Sequence, residues 1–106
     1  MPKYLIRASY TGEGVKGLLR EGGSKRKAAA EAAINSVGAT LESLYFTFGD
    51  EDIVAIVDGP DNATMAAASL AINASGAVTL KTTVLLTAEE MDTATTINVS
   101  YQAPSG

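Results

Sequence analysis

The sequence predicts an α+β sandwich of β-α-β-β-α-β order. An antiparallel four-stranded sheet carries both main helices on one face, and a short extra helix follows at the C-terminus. Three observations predict it. Apolar periodicity alternates between two and about 3.6 residues along the chain in that order. A Gly-Asp-Glu-Asp turn at 49–52 links two β-rich runs into a hairpin. The third run, "IVAIVD", is apolar at successive positions, as a strand covered on both faces would be.

The first strand is "KYLIRASY" (3–10), with Tyr4, Ile6, Ala8 and Tyr10 on one face and Leu5, Arg7 and Ser9 on the other. Thr11 is a cap for a helix that runs to about Val37, where Gly38 supplies the stop. Inside that helix "LLREGGSKRKAAAEAA" (18–33) sets a glycine pair before three cations. A fresh start at Ser24 places Lys25, Arg26 and Lys27 at the positive end of a helix dipole, at about 0.3–1 kcal/mol each. A continuous helix instead carries two glycines at about 1 kcal/mol each. Register separates the two. Val15, Leu18, Leu19, Gly22, Ala29, Ala33 and Val37 keep one stripe across the glycines, and Glu21 precedes Lys25 by four. One continuous, kinked helix is expected, with Gly22 on the sheet-facing stripe.

"TLESLYFTF" (40–48) is the second strand and 53–58 the third. Pro60 suits the first turn of a second helix over 61–75, closed by Gly76. Residues 77–86 form the fourth strand. Thr87 and Glu90 make a capping box for a short helix reaching about Asn98. Residues 1–98 form one domain, and 99–106 are a tail. Right-handed crossovers give the spatial order 4-1-3-2 of a ferredoxin-like sandwich. Its second face lacks cover from its own chain, unless the last helix folds back. A second copy is the expected cover, so the chain is expected to form a homo-oligomer through the open sheet face.

The chain has 106 residues, 46% of them apolar, with no cysteine and no histidine. That excludes disulfides, thiolate nucleophiles, His- or Cys-ligated zinc and histidine acid–base chemistry. No apolar run reaches the length of a membrane span, and a cytoplasmic protein without membrane partners is expected. Net charge is −4, unevenly spread. Residues 1–27 hold seven cations against Glu13 and Glu21; residues 28–106 hold Lys81 alone against ten carboxylates. The negative total argues against nucleic acid. The asymmetry points to surfaces that complement one another, within or between copies.

Arg26 falls in the middle of the apolar stripe, where an unpaired charge is expensive. The commoner role for such an arginine is structural: it bonds an internal acceptor or extends to the rim. The functional role is to line a cleft between helix and sheet and grip an anion. Gly22, one turn before it on the stripe, lets the helix approach the sheet closely or leaves a hollow. Asp50 and Asp52 on the hairpin are further binding candidates, although a solvated turn explains them more simply. No cation-loop pattern is present, and neither a metal nor a cofactor is expected. The alanines of the second helix suggest close packing. The strand aromatics Tyr4, Tyr10, Tyr45, Phe46 and Phe48 suggest core or interface, with a pocket edge as the alternative where a tyrosine hydroxyl needs a partner.

"YLIRASYTGEGVKGLL", "EGGSKRKAAAEAA", "LESLYFTFGDEDIVAIVD", "PDNATMAAASLAINASGAV" and "KTTVLLTAEEM" together resemble the GYD-domain proteins, a family of small bacterial proteins, over nearly the whole chain. That family typically has a Gly-x-Tyr-Asp type sequence at the hairpin. Here the positions are Gly49, Asp50, Glu51 and Asp52, with Glu51 in place of the aromatic. The resemblance implies a ferredoxin-like fold related to dimeric α/β barrels. It carries no established activity and therefore no catalytic residues.

Three functions remain in competition. The first is an oligomeric module that binds a small anionic ligand or a protein. The second is a cofactor-free enzyme resembling the monooxygenases and isomerases of dimeric α/β barrels. The third is a structural assembly unit. A pocket with Arg26 facing it favours the first, a desolvated tyrosine or carboxylate in a pocket the second, and a solid core the third.

Overall fold

A computed structural model describes residues 2–105 of the chain. The elements are β1 (Lys3–Tyr10), α1 (Gly12–Glu21), α2 (Gly23–Ser36), β2 (Thr40–Phe46), β3 (Ile53–Asp58), α3 (Asn62–Ala74), β4 (Val78–Leu85) and α4 (Ala88–Thr96). The strands form one antiparallel sheet in the order β2-β3-β1-β4, the ferredoxin-like arrangement expected. A bulge between Leu41 and Ser43 interrupts the β2–β3 ladder.

Alternation along β1 separates the two faces. Tyr4, Ile6 and Ala8 are buried under the helices, whereas Arg7 is exposed on the opposite side. Ile34, Ala39, Leu41, Leu44, Ala55, Val57 and Met65 complete the core. The buried Tyr4 hydroxyl donates to Asn62 Oδ1 at 2.7 Å, so burial leaves it satisfied.

The first helix departs from expectation. It is broken, with Gly22 at φ +82° between α1 and α2. The Gly22 N–H donates to the Leu18 carbonyl at 2.8 Å and closes α1 with a left-handed cap that favours glycine. The break lets each half find its own support. α1 packs near the end of β1, and α2 lies over β2. Close approach dictates the α1 position: a Cβ on Gly14 would collide with the Ala77 carbonyl oxygen. Gly14 and the half-buried Leu18 therefore face inward, and Val15 and Leu19, expected on the sheet-facing stripe, are exposed.

Two smaller differences concern helix starts and aromatics. Pro60 precedes the cap of α3 and lies outside its first turn. Asp61 is the cap, and its carboxylate accepts from the Thr64 N–H at 2.7 Å. On β2 and the following turn, Tyr45 and Phe48 are exposed and lie outside the core.

α4 forms with the expected capping box: Thr87 Oγ1 accepts from the Glu90 N–H, and Glu90 Oε1 accepts from the Thr87 N–H. It does not fold back over the sheet; every residue of α4 and of the described tail is exposed. The radius of gyration is 17.0 Å, against about 13 Å for a compact domain of this length. The C-terminal segment is an arm projecting from the body.

Candidate functional site

Small side chains on two helices open a groove in the helical layer. α2 lies over β2 and α3 over β4, toward opposite edges of the sheet. Ala29, Ala30, Ala33 and Ala71 line the space between them. Methyl groups are too short to meet across the central strands. The result is a cavity of about 340 Å³, floored by Ile6, Ala8, Ala55, Val57 and Leu80. This is the size and apolar character of a small-molecule site.

Tyr10, Arg26 and Ser75 are the polar side-chain bearers of the lining among the described residues. Topology brings them to one end of the groove. Tyr10 ends β1 and pairs with Val78 at the start of β4. Ser75 follows α3 just before that start. Arg26 lies in the first turn of α2, which runs antiparallel to β1 because β2 enters from the opposite end. The far end is hydrocarbon, supplied by Ile34, Leu41 and Val57. The groove is amphipathic along its length.

The helix break organises the polar end. Glu21 closes α1, and its Oε2 stands 3.4 Å from Arg26 Nη1 across the break. The Arg26 side chain is 32% exposed, so this ion pair is long and partly hydrated, and the guanidinium retains free donors. α2 has no side-chain cap and no acidic residue in its first turn. Its dipole and the outward Lys25 and Lys27 add positive potential at the same end.

The four residues singled out from the sequence do not converge. Arg26 lines the groove. Gly22 lies outside the lining, exposed, and acts as the hinge between the helices. Asp52 lies at the Tyr10 end of the sheet, but its Oδ2 accepts from the Tyr10 backbone N–H at 2.8 Å, which fastens the hairpin to β1. Asp50 is exposed, and its carbonyl accepts from Ser9 Oγ at 3.4 Å. The hairpin carboxylate that meets a cation is Glu51, 3.2 Å from Arg7 on the opposite sheet face. Among the described residues no three His, Cys, Asp or Glu side chains group as a metal set. Sequence reasoning admits Tyr10 as a pocket edge but does not single it out, and it misses Ser75 and the alanines. Facing alanines on two helices are the available signal, but taken alone Ala29 and Ala33 indicate a sheet-facing stripe and Ala71 close packing.

Among the described residues no helix is long and apolar enough to cross a membrane. A family model described as the GYD domain matches residues 4–95. No curated protein and no solved structure matches the chain.

Proposed function

The chain belongs to the GYD domain family, and from that premise we propose that it is a binding module for a small amphipathic anion held in the groove between α2 and α3. The observation that carries this reading is the groove's polarity: an apolar trough with Arg26 at one end. An aliphatic or aromatic body displaces water from the alanine and isoleucine walls, at roughly 25 cal/mol for each Å² covered. A carboxylate or similar head takes the free donors of Arg26, with Tyr10 and Ser75 at the same end. Arginine suits this role because its planar fork matches two oxygens of one carboxylate.

The lining favours capture over turnover. It contains no carboxylate among the described residues, Arg26 stays protonated, and Tyr10 is the one acid–base candidate among the described lining residues. A solid assembly unit is disfavoured by the cavity itself.

Octanoate and octanol are suitable probes, since they share a body and differ in the head. Titration followed by amide NMR is expected to move Ala29, Ala33, Ile72 and Leu80. Arg26→Gln is expected to weaken octanoate roughly tenfold, the worth of one charged hydrogen bond in a partly hydrated site, and to leave octanol unchanged. Absence of shifts at millimolar octanoate, or shifts confined to the opposite sheet face, would refute the proposal.

A further inference from the structure

The face of the sheet away from the helices carries an anomaly. Register places Arg7 opposite Val54 on one side and opposite Lys81 on the other. Two cations are thus direct cross-strand neighbours, an arrangement that is unfavourable unless an anion offsets it. Arg7 has Glu51 at 3.2 Å. Lys3, in the outer row, is held by both Glu42 and Asp58. Among the described residues Lys81 has no ion-pair partner. The adjoining row on the same face places Ile56 opposite Leu5. The uncovered face therefore offers apolar side chains beside an incompletely neutralised cationic pair.

The complementary surface is on the same chain. Residues 86–105 contain Glu89, Glu90 and Asp92 and no lysine or arginine. Glu90 is occupied by the capping box, which leaves Glu89 and Asp92 free. Met91 lies between them in sequence, half exposed, and Ala88 and Ala94 are spaced to extend its stripe. Ile97, Val99 and Tyr101 follow, all exposed. Nine residues are too few for a helix to be stable alone in water, where roughly 12–15 are already marginal. An arm of this kind draws its stability from a surface, and its own body does not supply one.

We propose that the acidic C-terminal arm of one copy docks on the uncovered sheet face of a second copy, with Glu89 and Asp92 meeting the Arg7–Lys81 pair and Met91 covering Leu5, Val54 and Ile56. Charge complementarity selects the occupant. The face lacks an anion for Lys81, and the arm lacks any cation. The exchange is reciprocal under a two-fold axis, so each dimer buries two arms and two faces through one isologous interface. This interface is on the opposite side of the sheet from the groove and is independent of ligand capture.

Native mass spectrometry and light scattering of the full chain test it, across micromolar to millimolar concentrations at low salt. A dimer is expected. Lys81→Glu is expected to weaken it by roughly tenfold or more, as is the pair Glu89→Lys and Asp92→Lys, because each reversal sets like charges together. Combining all three changes restores opposite charges and is expected to recover much of the affinity. Lys81→Glu has a second readout. It removes the repulsion from Arg7, so monomer stability rises while dimer affinity falls, a split that a merely structural lysine would not give. Three results overturn the proposal: a wild-type chain that stays monomeric throughout, a dimer unmoved by either reversal, or a combined variant no tighter than its parents.

Discussion

Gly14 illustrates how single atoms govern the architecture. Its missing Cβ lets α1 approach the turn before β4, where Thr11 also donates to Ala77 through its N–H at 3.0 Å. Gly14→Ala forces α1 away from the sheet. The expected destabilisation is about 1–3 kcal/mol in urea unfolding, despite the better helix propensity of alanine. Gly17→Ala is the control, since nothing lies within 4 Å of its added methyl. That change is expected to stabilise by about 0.4–1 kcal/mol. Asp61 gives a pH-dependent counterpart. The Thr64 N–H bond holds its carboxyl below the ordinary carboxylate range. A group with a lowered folded pKa stabilises the fold above its unfolded pKa and loses that contribution as pH falls through the folded value. Asp61→Asn keeps a capping oxygen without the charge. The gap in thermal midpoint between wild type and this variant is therefore expected to be constant near neutrality and to shrink progressively below about pH 4. A gap that widens on acidification would contradict this assignment.

At the scale of elements, the two helices over the sheet act as walls. α3 contributes more than a wall. Its Asn73 side chain donates to the Leu80 carbonyl and accepts from the Leu80 N–H, occupying part of the free β4 edge. That contact blocks strand addition at Leu80 and fixes α3 over the edge of the sheet. With α2 held over β2, the groove width is set by what their facing surfaces carry. Ala33→Leu extends one wall into the groove. The expected outcome is loss of octanoate binding with an unchanged or raised thermal midpoint, because the new side chain fills space without displacing the core. A variant that still binds octanoate normally would move the ligand elsewhere. The broken helix belongs to this scale as well. Phase continuity across Gly22 and Gly23 favours a single helix, and propensity does not decide. Packing did, because one straight helix cannot satisfy both the Gly14 contact and the cover over β2.

At the scale of the whole molecule, the sheet divides two prospective activities. One face, under the helices, holds a groove with a cationic end. The other lies bare beside an acidic arm that extends the molecule to 55 Å in its longest dimension. Charge is segregated along the chain: seven of the eight cations lie before position 28 and ten of the twelve carboxylates after it. Folding leaves part of that segregation unresolved inside one copy, which is what the proposed exchange of arms would resolve.

Element order, strand pairing, the caps at Thr11 and Thr87 and the stops at Gly38 and Gly76 were legible from residues alone. Each depends on local periodicity or on backbone preferences that act within a few positions. Arg26 was legible as an apolar-stripe arginine for the same reason. The break at Gly22, the inward turn of Gly14 in place of Val15, and the groove were decided by tertiary contacts. Whether a glycine pair bends or breaks, and whether facing alanines touch or leave a trough, depends on where other elements anchor each helix. The cationic pair of Arg7 and Lys81 belongs to the same class: 74 positions separate them in sequence, and only the β1–β4 register sets them side by side.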